Sequence, residues 1–274
     1  MNRIHKLFSR LAAGQGKALI LYLMAGDPDP ESSLEIALTL LGAGADLLEI
    51  GLPFSDPLAD GPVIQAAAQR ALAAGTRVEK VLALMGRLRE MTAAPQVLLS
   101  YYNPILHYGE KRFLEAAAQA GVDGLIIPDL PLEESEVATG GPGMRSLARA
   151  NGLELIPLVA PTTPDGRLAE VGKREPAFTY AVSLTGVTGA RVELSPDLET
   201  FLKRLRRHSR VPVAVGFGLS RPEQVSRVRD LVDGVIIGSR IVQEIEGIPQ
   251  QGLETVKEKL AILVRGFRRA LDRS

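Results

Sequence analysis

One carboxylate stands alone in an apolar stretch of the sequence. Glu49 lies in the run LLEIG, residues 47–51, where a carboxylate is costly to bury unless it is paired, protonated or used in chemistry. If the run is a strand, its side-chain period of two places Glu49 on the same face as Leu47 and Gly51. Two interpretations stay open here: Glu49 faces a bound ligand, or it is a buried carboxylate hydrogen-bonded to the backbone.

A proline-rich loop directly after Glu49 carries two further acids. It reads GLPFSDPLADGP over residues 51–62 and contains Asp56 and Asp60. Because its prolines restrict the backbone, the loop is long but stiff, and it can hold a second carboxylate opposite Glu49. General acid–base chemistry requires two such groups, and different surroundings give them different proton affinities. The spacing therefore indicates acid–base catalysis, although acidic turns with proline are common.

Three glycine-rich segments in the second half of the chain indicate an anion site. They are TGVTG at 185–189, GFG at 216–218 and Gly238-Ser239, each close after a strand-like run. Glycine lets the backbone approach a ligand closely, and the N–H groups at a helix start favour an anion. Ser239 is predicted to cap a short helix that runs through Val242 and Ile245. Together these segments predict a phosphate site.

What the sequence lacks narrows the chemistry further. It has no cysteine, its 3 histidines are scattered, and none of its lysines stands at the end of a predicted strand. These absences disfavour thiolate and metal sites and a Schiff-base aldolase. No dinucleotide fingerprint or Walker-type lysine is visible. We expect a phosphorylated substrate that carboxylates handle with no metal and no cofactor.

The charge balance and the hydropathy limit the partners. Lys plus Arg and Asp plus Glu are equal at 32 each, so no net field draws the chain to nucleic acid or to an anionic membrane. The basic run KRLRRHSR at 203–210 is predicted to be the solvated end of a helix rather than a patch for a phosphate backbone. The apolar run at 18–25 is too short to span a bilayer, and the absence of cysteine fits a cytoplasmic protein.

Eight short apolar runs, with helical patterns between them, must position these groups. Because the runs lack polar alternation, they predict strands buried on both faces of a parallel sheet. With no linker in the chain, the pattern favours a single α/β domain over residues 1–274, a (β/α)8 TIM barrel. A doubly wound open sheet is the competing fold. The runs are 18–25, 46–51, 96–102, 123–129, 153–160, 177–183, 212–218 and 233–239.

Additional helices are predicted around the barrel. Residues 1–14 form a helix before the first strand that is able to plug the barrel floor. The long interval after the second strand holds a loop and an extra helix, and another short helix follows the eighth strand. Helical patterns also cover 33–45, 111–121 and 196–207, the last opening with Ser195 and Pro196.

These residues lie in segments that resemble the tryptophan synthase α-subunit family. The segments cover nearly the whole chain in the expected order, and the first of them is close to diagnostic. The resemblance implies a TIM-barrel lyase that cleaves indole-3-glycerol phosphate into indole and glyceraldehyde 3-phosphate without a cofactor. The segments are LLEIGLPFSDPLADGPVIQ (47–65), YYNPI (101–105), PDLPLEES (128–135), YAVSLTGVTGAR (180–191), VAVGFGLS (213–220) and DGVIIGS (233–239).

The resemblance also implies a role for each candidate site residue. Glu49 and Asp60 are the catalytic pair: Glu49 moves a proton between the glycerol hydroxyl and indole C3, and Asp60 stabilises or deprotonates the indole nitrogen. Tyr180, near Glu49, is the third catalytic residue, Thr188 belongs to a mobile lid, and Asp56 communicates with a partner subunit. The residues that enclose the indole ring are Tyr22, Ile64, Leu99, Tyr101 and Phe217, and those that bind phosphate are Gly189, Gly218, Gly238 and Ser239.

The partner that the resemblance implies is a tryptophan synthase β subunit, in an α2β2 heterotetramer. The sequence departs from the family pattern in a longer segment at 136–143, expected to be a surface variation, and in Arg240, which stands where a small residue is usual. Arg240 adds to phosphate binding or points to solvent, and we favour solvent. The alternatives are another phosphate-binding barrel, a stand-alone lyase that releases indole, and a non-catalytic activating subunit. Retention of Glu49 and Asp60 argues against the last.

Overall fold

Eight parallel strands form the centre of the fold. A computed structural model describes residues 2–131, 137–138, 141–182, 196–216 and 218–272. Each of the predicted apolar runs contains a strand, and the strands are shorter than the runs by one to several residues. The strands are β1 (Ala18–Met24), β2 (Leu47–Gly51), β3 (Gln96–Leu99), β4 (Gly124–Ile126), β5 (Glu154–Leu155 and Leu158–Val159), β6 (Thr179–Val182), β7 (Val213–Gly216) and β8 (Gly234–Ile237).

The sheet closes on itself, and it closes at β5. The first half of β5 pairs with β4, where Glu154 is opposite Gly124, and the second half pairs with β6, where Leu158 is opposite Tyr180. On the far side of the ring β1 pairs with β8. A doubly wound sheet has two outer strands with one neighbour each, whereas every strand here has a neighbour on both sides. The predicted (β/α)8 barrel is therefore confirmed.

Helices surround the barrel, and the extra helices predicted from the sequence are present. They precede β1, lie between β2 and β3, and follow β8. A helix after β3 was not expected, because the apolar run was assigned to strand as far as residue 102, whereas β3 ends at Leu99. The helices are α1 (Arg3–Ala13), α2 (Pro30–Gly42), α3 (Pro62–Ala73), α4 (Val78–Met91), α5 (Tyr102–Tyr108), α6 (Glu110–Gln119), α7 (Met144–Ala150), α8 (Asp165–Lys173), α9 (Pro196–His208), α10 (Pro222–Val228), α11 (Ser239–Ile245), α12 (Ile248–Gln251) and α13 (Leu253–Asp272).

Most strand residues are buried whichever face they lie on, which explains why the runs lack polar alternation. In β1, Ala18 and Ile20 belong to an apolar cluster inside the barrel, whereas Leu19 and Leu21 belong to the layer between barrel and helices. Leu47 of β2 lies in the inner cluster as well. Because side chains alternate along a strand, Glu49 must also point inward.

Helix α1 closes the floor of the barrel, as the sequence predicted. Its apolar face, formed by Ile4, Leu7 and Phe8, is part of the cluster inside the barrel. Phe8 packs against Phe178 at the start of β6, with ring centroids 5.3 Å apart. Asn2 caps the helix by accepting the N–H of Ile4. The cap and the aromatic contact together hold the helix across the strand starts.

Three aspartates at the floor share one arrangement. Asp46, Asp123 and Asp233 directly precede β2, β4 and β8, and each accepts a backbone N–H from the start of the neighbouring strand at 2.8 to 2.9 Å. Each also pairs with an arginine of an outer helix, so that one carboxylate connects two strands and a helix. The arginines are Arg268, Arg89 and Arg206, respectively.

The remaining sequence expectations concern the surface. The longer segment at 136–143 contains a short antiparallel pair, Val137–Ala138 with Gly141–Pro142, and residues 136 and 139–140 lie outside the described part of the chain. The basic run does end a helix, α9, and its cations have acidic partners, Lys203 with Glu199 and Arg206 with Asp233. No helix in the described part of the chain is long and apolar enough to cross a membrane.

Candidate active site

Glu49 lies inside the barrel near the mouth, the end where the strands finish. It stands in β2, opposite Tyr22 of β1 on one side and Val97 of β3 on the other. Its side chain is buried, with an exposed fraction of 2%. Among the residues that the structure describes, its Oε2 atom has no hydrogen-bond partner. A purely structural carboxylate would have its oxygens satisfied, so this geometry favours the interpretation that Glu49 faces a ligand.

The surroundings of Glu49 hold it in the protonated form. Burial raises the pKa of Glu49 to about 8, because an ionised carboxylate loses hydration there, and the charge of Asp60 adds to the increase. Near neutral pH the side chain therefore carries a proton in most molecules. A buried acid of this kind is able to donate a proton to a bound group.

Asp60 is held at the mouth by the loop after β2. Its backbone N–H bonds to the carbonyl of Pro57 at 3.1 Å, and its own carbonyl accepts the side-chain amide of Gln65 at 2.8 Å. Helix α3 begins just beyond it, with Gly61 as the N-cap residue and Pro62 in the first position. The loop is thus fixed by internal hydrogen bonds as well as by its prolines, which fits the stiffness expected from the sequence.

Asp60 differs from Glu49 in its affinity for protons. Burial raises the pKa of Asp60 to about 6, and a hydrogen bond from Tyr101 opposes the increase. At neutral pH most molecules therefore hold an ionised Asp60 facing a protonated Glu49. Two acids with separated pKa values give the site one proton donor and one anion, which is the division of roles that acid–base catalysis requires.

Tyr22 and Tyr180 line the inside of the mouth beside the two acids. Burial raises the pKa of both phenols well above the ordinary value, and the largest electrostatic contributions come from Asp60 for Tyr22 and from Glu49 for Tyr180. Glycines make room for their hydroxyls: a Cβ atom at Gly216 would lie 2.5 Å from the Tyr180 hydroxyl, and one at Gly51 would overlap that of Tyr22. The structure thus places Tyr180 near Glu49, as the sequence predicted.

The predicted indole-pocket residues come from four elements around the acids. Tyr22 and Ile64 share a small apolar cluster with Met24, and Leu99 packs against the cluster inside the barrel. Tyr101 is buried just past the end of β3. Phe217 lies outside the described residues. Sequence reasoning did not identify Phe54, whose ring packs on Tyr101 with centroids 5.5 Å apart; its position among the prolines of the loop was the available signal.

The described members of the predicted phosphate site, Gly218, Gly238 and Ser239, lie at the same end of the barrel. Gly218 follows β7 with a φ of +84°, a conformation that favours glycine, and Gly238 ends β8. The expectation that Ser239 caps a helix is wrong, because Gly238 takes the N-cap position and Ser239 is the first residue of α11. Gly189 and Thr188 lie outside the described residues. Arg240 forms an ion pair with Glu244 on the same helix.

Asp56 lies on the outer side of the loop that carries Asp60. It accepts a hydrogen bond from the hydroxyl of Ser55, and it lines a surface cavity of about 250 Å³ between the loop and α3. Leu58 in the same loop is 95% exposed. An exposed leucine next to an exposed acid makes this face suited to contact with another molecule.

Among the described residues, no group of three or more histidine, aspartate or glutamate side chains is placed to hold a metal ion.

Comparison with known proteins identifies the family. The model of the tryptophan synthase alpha chain family matches residues 8–272. The tryptophan synthase alpha chain of Carboxydothermus hydrogenoformans is 50% identical over 264 residues, which cover 96% of this chain and 96% of the relative. The crystal structure of tryptophan synthase subunit alpha from Legionella pneumophila has a TM-score of 0.89 at 36% identity and covers 99% of both chains. A tryptophan synthase complex from Pyrococcus furiosus contains a chain with a TM-score of 0.81 at 36% identity, over 92% of this chain and 98% of that one. The chain therefore belongs to the tryptophan synthase alpha chain family, whose members are lyases.

Proposed function

We propose that this chain cleaves indole-3-glycerol phosphate into indole and D-glyceraldehyde 3-phosphate by a retro-aldol reaction. The observation that carries the proposal is the pair of acids at the barrel mouth. Burial raises the pKa of Glu49 to about 8 and that of Asp60 to about 6, so a protonated acid and an anion lie close enough to interact near neutral pH. The reaction requires one of each.

The proposed reaction transfers two protons through Glu49 and returns Glu49 to its protonated form. Protonated Glu49 gives its proton to indole C3, which becomes tetrahedral and leaves a positive charge at the ring nitrogen. Asp60 stabilises that charge through the N–H group. Glu49, now a carboxylate, takes the proton of the adjacent glycerol hydroxyl, the carbon–carbon bond breaks, and its electrons return to the ring. The aldehyde leaves and Glu49 is protonated again, so no cofactor or metal ion is needed.

The apolar residues around the acids suit an indole ring. Tyr22, Ile64, Leu99, Tyr101 and Phe217 are assigned to that pocket, with Tyr180 next to Glu49. Aromatic and aliphatic walls bind a flat ring and keep water away, and the loss of water strengthens the electrostatic effect of each acid. The burial that raises the pKa of Glu49 therefore also strengthens the electrostatic effect of both acids on the substrate.

The phosphate group of the substrate is assigned to the glycine-rich ends of the later strands. The residues proposed to bind it are Gly189, Gly218, Gly238 and Ser239. At the start of α11 the first N–H groups have no carbonyl within the helix, and such groups favour an anion. Thr188 is assigned to a lid that closes over the bound substrate.

The proposed partner is a tryptophan synthase β subunit, in an α2β2 heterotetramer that passes indole from one subunit to the other. Asp56 and the exposed side of its loop are assigned to this contact. The exposure of Leu58 and the cavity beside it support the assignment. A stand-alone lyase that releases indole, or a non-catalytic activating subunit, would have the same fold.

The test is indole release from indole-3-glycerol phosphate, measured with and without a cognate β subunit. We expect slow release from the chain alone and a sharp increase when the β subunit is added. Fast release that the β subunit does not change would favour the stand-alone lyase. Activation of the β subunit with no release in either condition would favour the non-catalytic subunit and contradict the proposal.

A further inference from the structure

Tyr101 makes two separate contacts with the loop that carries Asp60. Its hydroxyl oxygen accepts the backbone N–H of Ala59 at 2.9 Å. Its ring packs against Phe54 near the beginning of the same loop, with ring centroids 5.5 Å apart. Tyr101 is itself buried directly after β3, one of the strands of the barrel. A rigid element therefore holds the loop both near its beginning and near its end.

The same hydroxyl also influences Asp60, the residue directly after Ala59. A tyrosine hydroxyl has one hydrogen to donate and can accept at the same time. Because the oxygen accepts from Ala59, its hydrogen is free to point at Asp60, and a hydrogen bond from Tyr101 lowers the pKa of Asp60 against the effect of burial. One oxygen atom thus connects the backbone beside Asp60 with the Asp60 side chain.

We propose that Tyr101 is a positioning residue, whose hydroxyl fixes the direction of the Asp60 carboxylate and whose ring fixes the loop. This role is additional to the indole pocket wall that the sequence assigns to Tyr101. The inference rests on the proposed function, in which Asp60 balances charge at the indole nitrogen. A displacement of about 1 Å at a catalytic group costs on the order of 100-fold in rate. A tether at this place therefore controls turnover.

The other titratable groups that face Asp60 come from neighbouring strands. They are Tyr22 on β1, Glu49 on β2 and Tyr180 on β6. Helix α3 contributes the neutral amide of Gln65, which holds the Asp60 carbonyl. Unlike these groups, Tyr101 favours the ionised form of Asp60 by a hydrogen bond. Its removal is expected to move the titration of Asp60 in one direction, upward.

The experiment is Tyr101→Phe, assayed for indole-3-glycerol phosphate cleavage with a cognate β subunit present. The ring remains, so the contact with Phe54 and the pocket wall remain. We expect kcat to fall by about tenfold, since a hydrogen bond to a charged group is lost, while KM changes by less than about twofold. The acidic limb of the kcat profile should move to higher pH, because Asp60 then ionises at higher pH.

The neighbouring tyrosine provides a matched control. The hydroxyl of Tyr102 donates to Glu110 at 2.6 Å on the helical side of the strand end. Tyr102→Phe removes the same atom one residue away, and we expect kcat and the acidic limb to stay unchanged. A double variant adds a second criterion: if Tyr101 acts through Asp60, Tyr101→Phe combined with Asp60→Asn is no slower than Asp60→Asn alone.

Each outcome separates this inference from the proposed function. Independent, multiplying losses in the double variant, a loss confined to KM, or an unmoved acidic limb would contradict a positioning role for Tyr101. If Asp60→Asn alone turns over at the normal rate, the assignment of Asp60 fails, and the positioning role fails with it. If Asp60→Asn is slow while Tyr101→Phe is normal, only the inference about Tyr101 is wrong.

Discussion

The two ends of the barrel give their carboxylates different partners. At the floor, Asp46, Asp123 and Asp233 each accept a backbone N–H and pair with an arginine. At the mouth, Glu49 and Asp60 pair with no cation among the residues that the structure describes, and burial raises the pKa of both. The same functional group therefore connects elements at one end and stays available for chemistry at the other. The difference lies in the partners and not in the residue type.

Asp27 shows that a carboxylate near the mouth can also have a cationic partner. It lies just past β1 with an exposed fraction of 1%, and Arg70 on α3 donates two hydrogen bonds of 2.8 Å to it. Arg70 also lies 3.6 Å from the carboxylate of Glu246. These bonds join the end of β1 to the helix that follows the Asp60 loop. The lack of a cationic partner for Glu49 and Asp60 among the described residues is thus specific to the site and not general to the mouth.

The largest effect is expected from Glu49→Gln, which tests the mouth. We expect kcat to fall on the order of 1000-fold, because the variant has no proton to transfer. The free energy of unfolding near pH 7 should not decrease, since a neutral amide replaces an acid that has no cationic partner. Indole release and urea unfolding measure the two quantities. Glu154→Gln, which removes the floor partner of His5, is the control and should keep kcat normal.

Asp123→Asn tests the floor and should show the reverse behaviour. It breaks a pair in which the carboxylate is 3% and the Arg89 side chain 15% exposed. Breaking a buried pair leaves a charge without its partner, so we expect a loss of about 3 kcal/mol in the free energy of unfolding, with kcat of the folded protein unchanged. Glu170→Gln removes an exposed pair with Lys173 and should leave the free energy of unfolding nearly unchanged. A catalytic defect in Asp123→Asn would contradict the division between floor and mouth.

The smallest expected effect is a pH dependence of stability that belongs to Glu49. Its pKa is about 8 when folded and 4.5 ordinarily, so between these values the folded side chain keeps a proton that the unfolded one has released. Stability is therefore greatest at low pH in this range and decreases as pH rises. From about pH 5.5 to about pH 7.5 the protein should lose roughly 2–3 kcal/mol relative to Glu49→Gln. If the free energy of unfolding changes with pH by the same amount in both proteins, Glu49 is not protonated in the folded state and this prediction is wrong.

Much of this comparison was visible in the sequence. The inward direction of Glu49 follows from the strand period, and the barrel follows from eight runs without polar alternation. The floor aspartates also left a signal that was not used: the runs DLLEIG, DGLIIPD and DGVIIGS each begin with aspartate. Their shared role became clear only when each was seen to bond across to a neighbouring strand.

Other features depend on tertiary contacts that local patterns do not encode. The bond from Ala59 to the Tyr101 hydroxyl joins residues 42 positions apart, and the pair Asp27–Arg70 joins residues 43 apart. Serine favours the N-cap position, which is why the sequence predicts Ser239 as the cap. In the structure Gly238, directly after β8, is the N-cap residue and Ser239 is the first residue of α11. Helix propensity indicates that a helix starts nearby, whereas packing against the barrel decides at which residue.

The division of β5 into two short halves affects where the sheet of the native protein opens in local fluctuations. Its register has two residue pairs with β4 and two with β6, whereas β1 and β2 share five. Pro157, between the two halves, has no N–H to contribute. Native-state fluctuations open a structure where the fewest bonds must break, and amide hydrogen exchange reports such openings. Counted over both neighbours, β5 has fewer residue pairs than any other strand of the barrel, so its amide hydrogens are expected to exchange fastest.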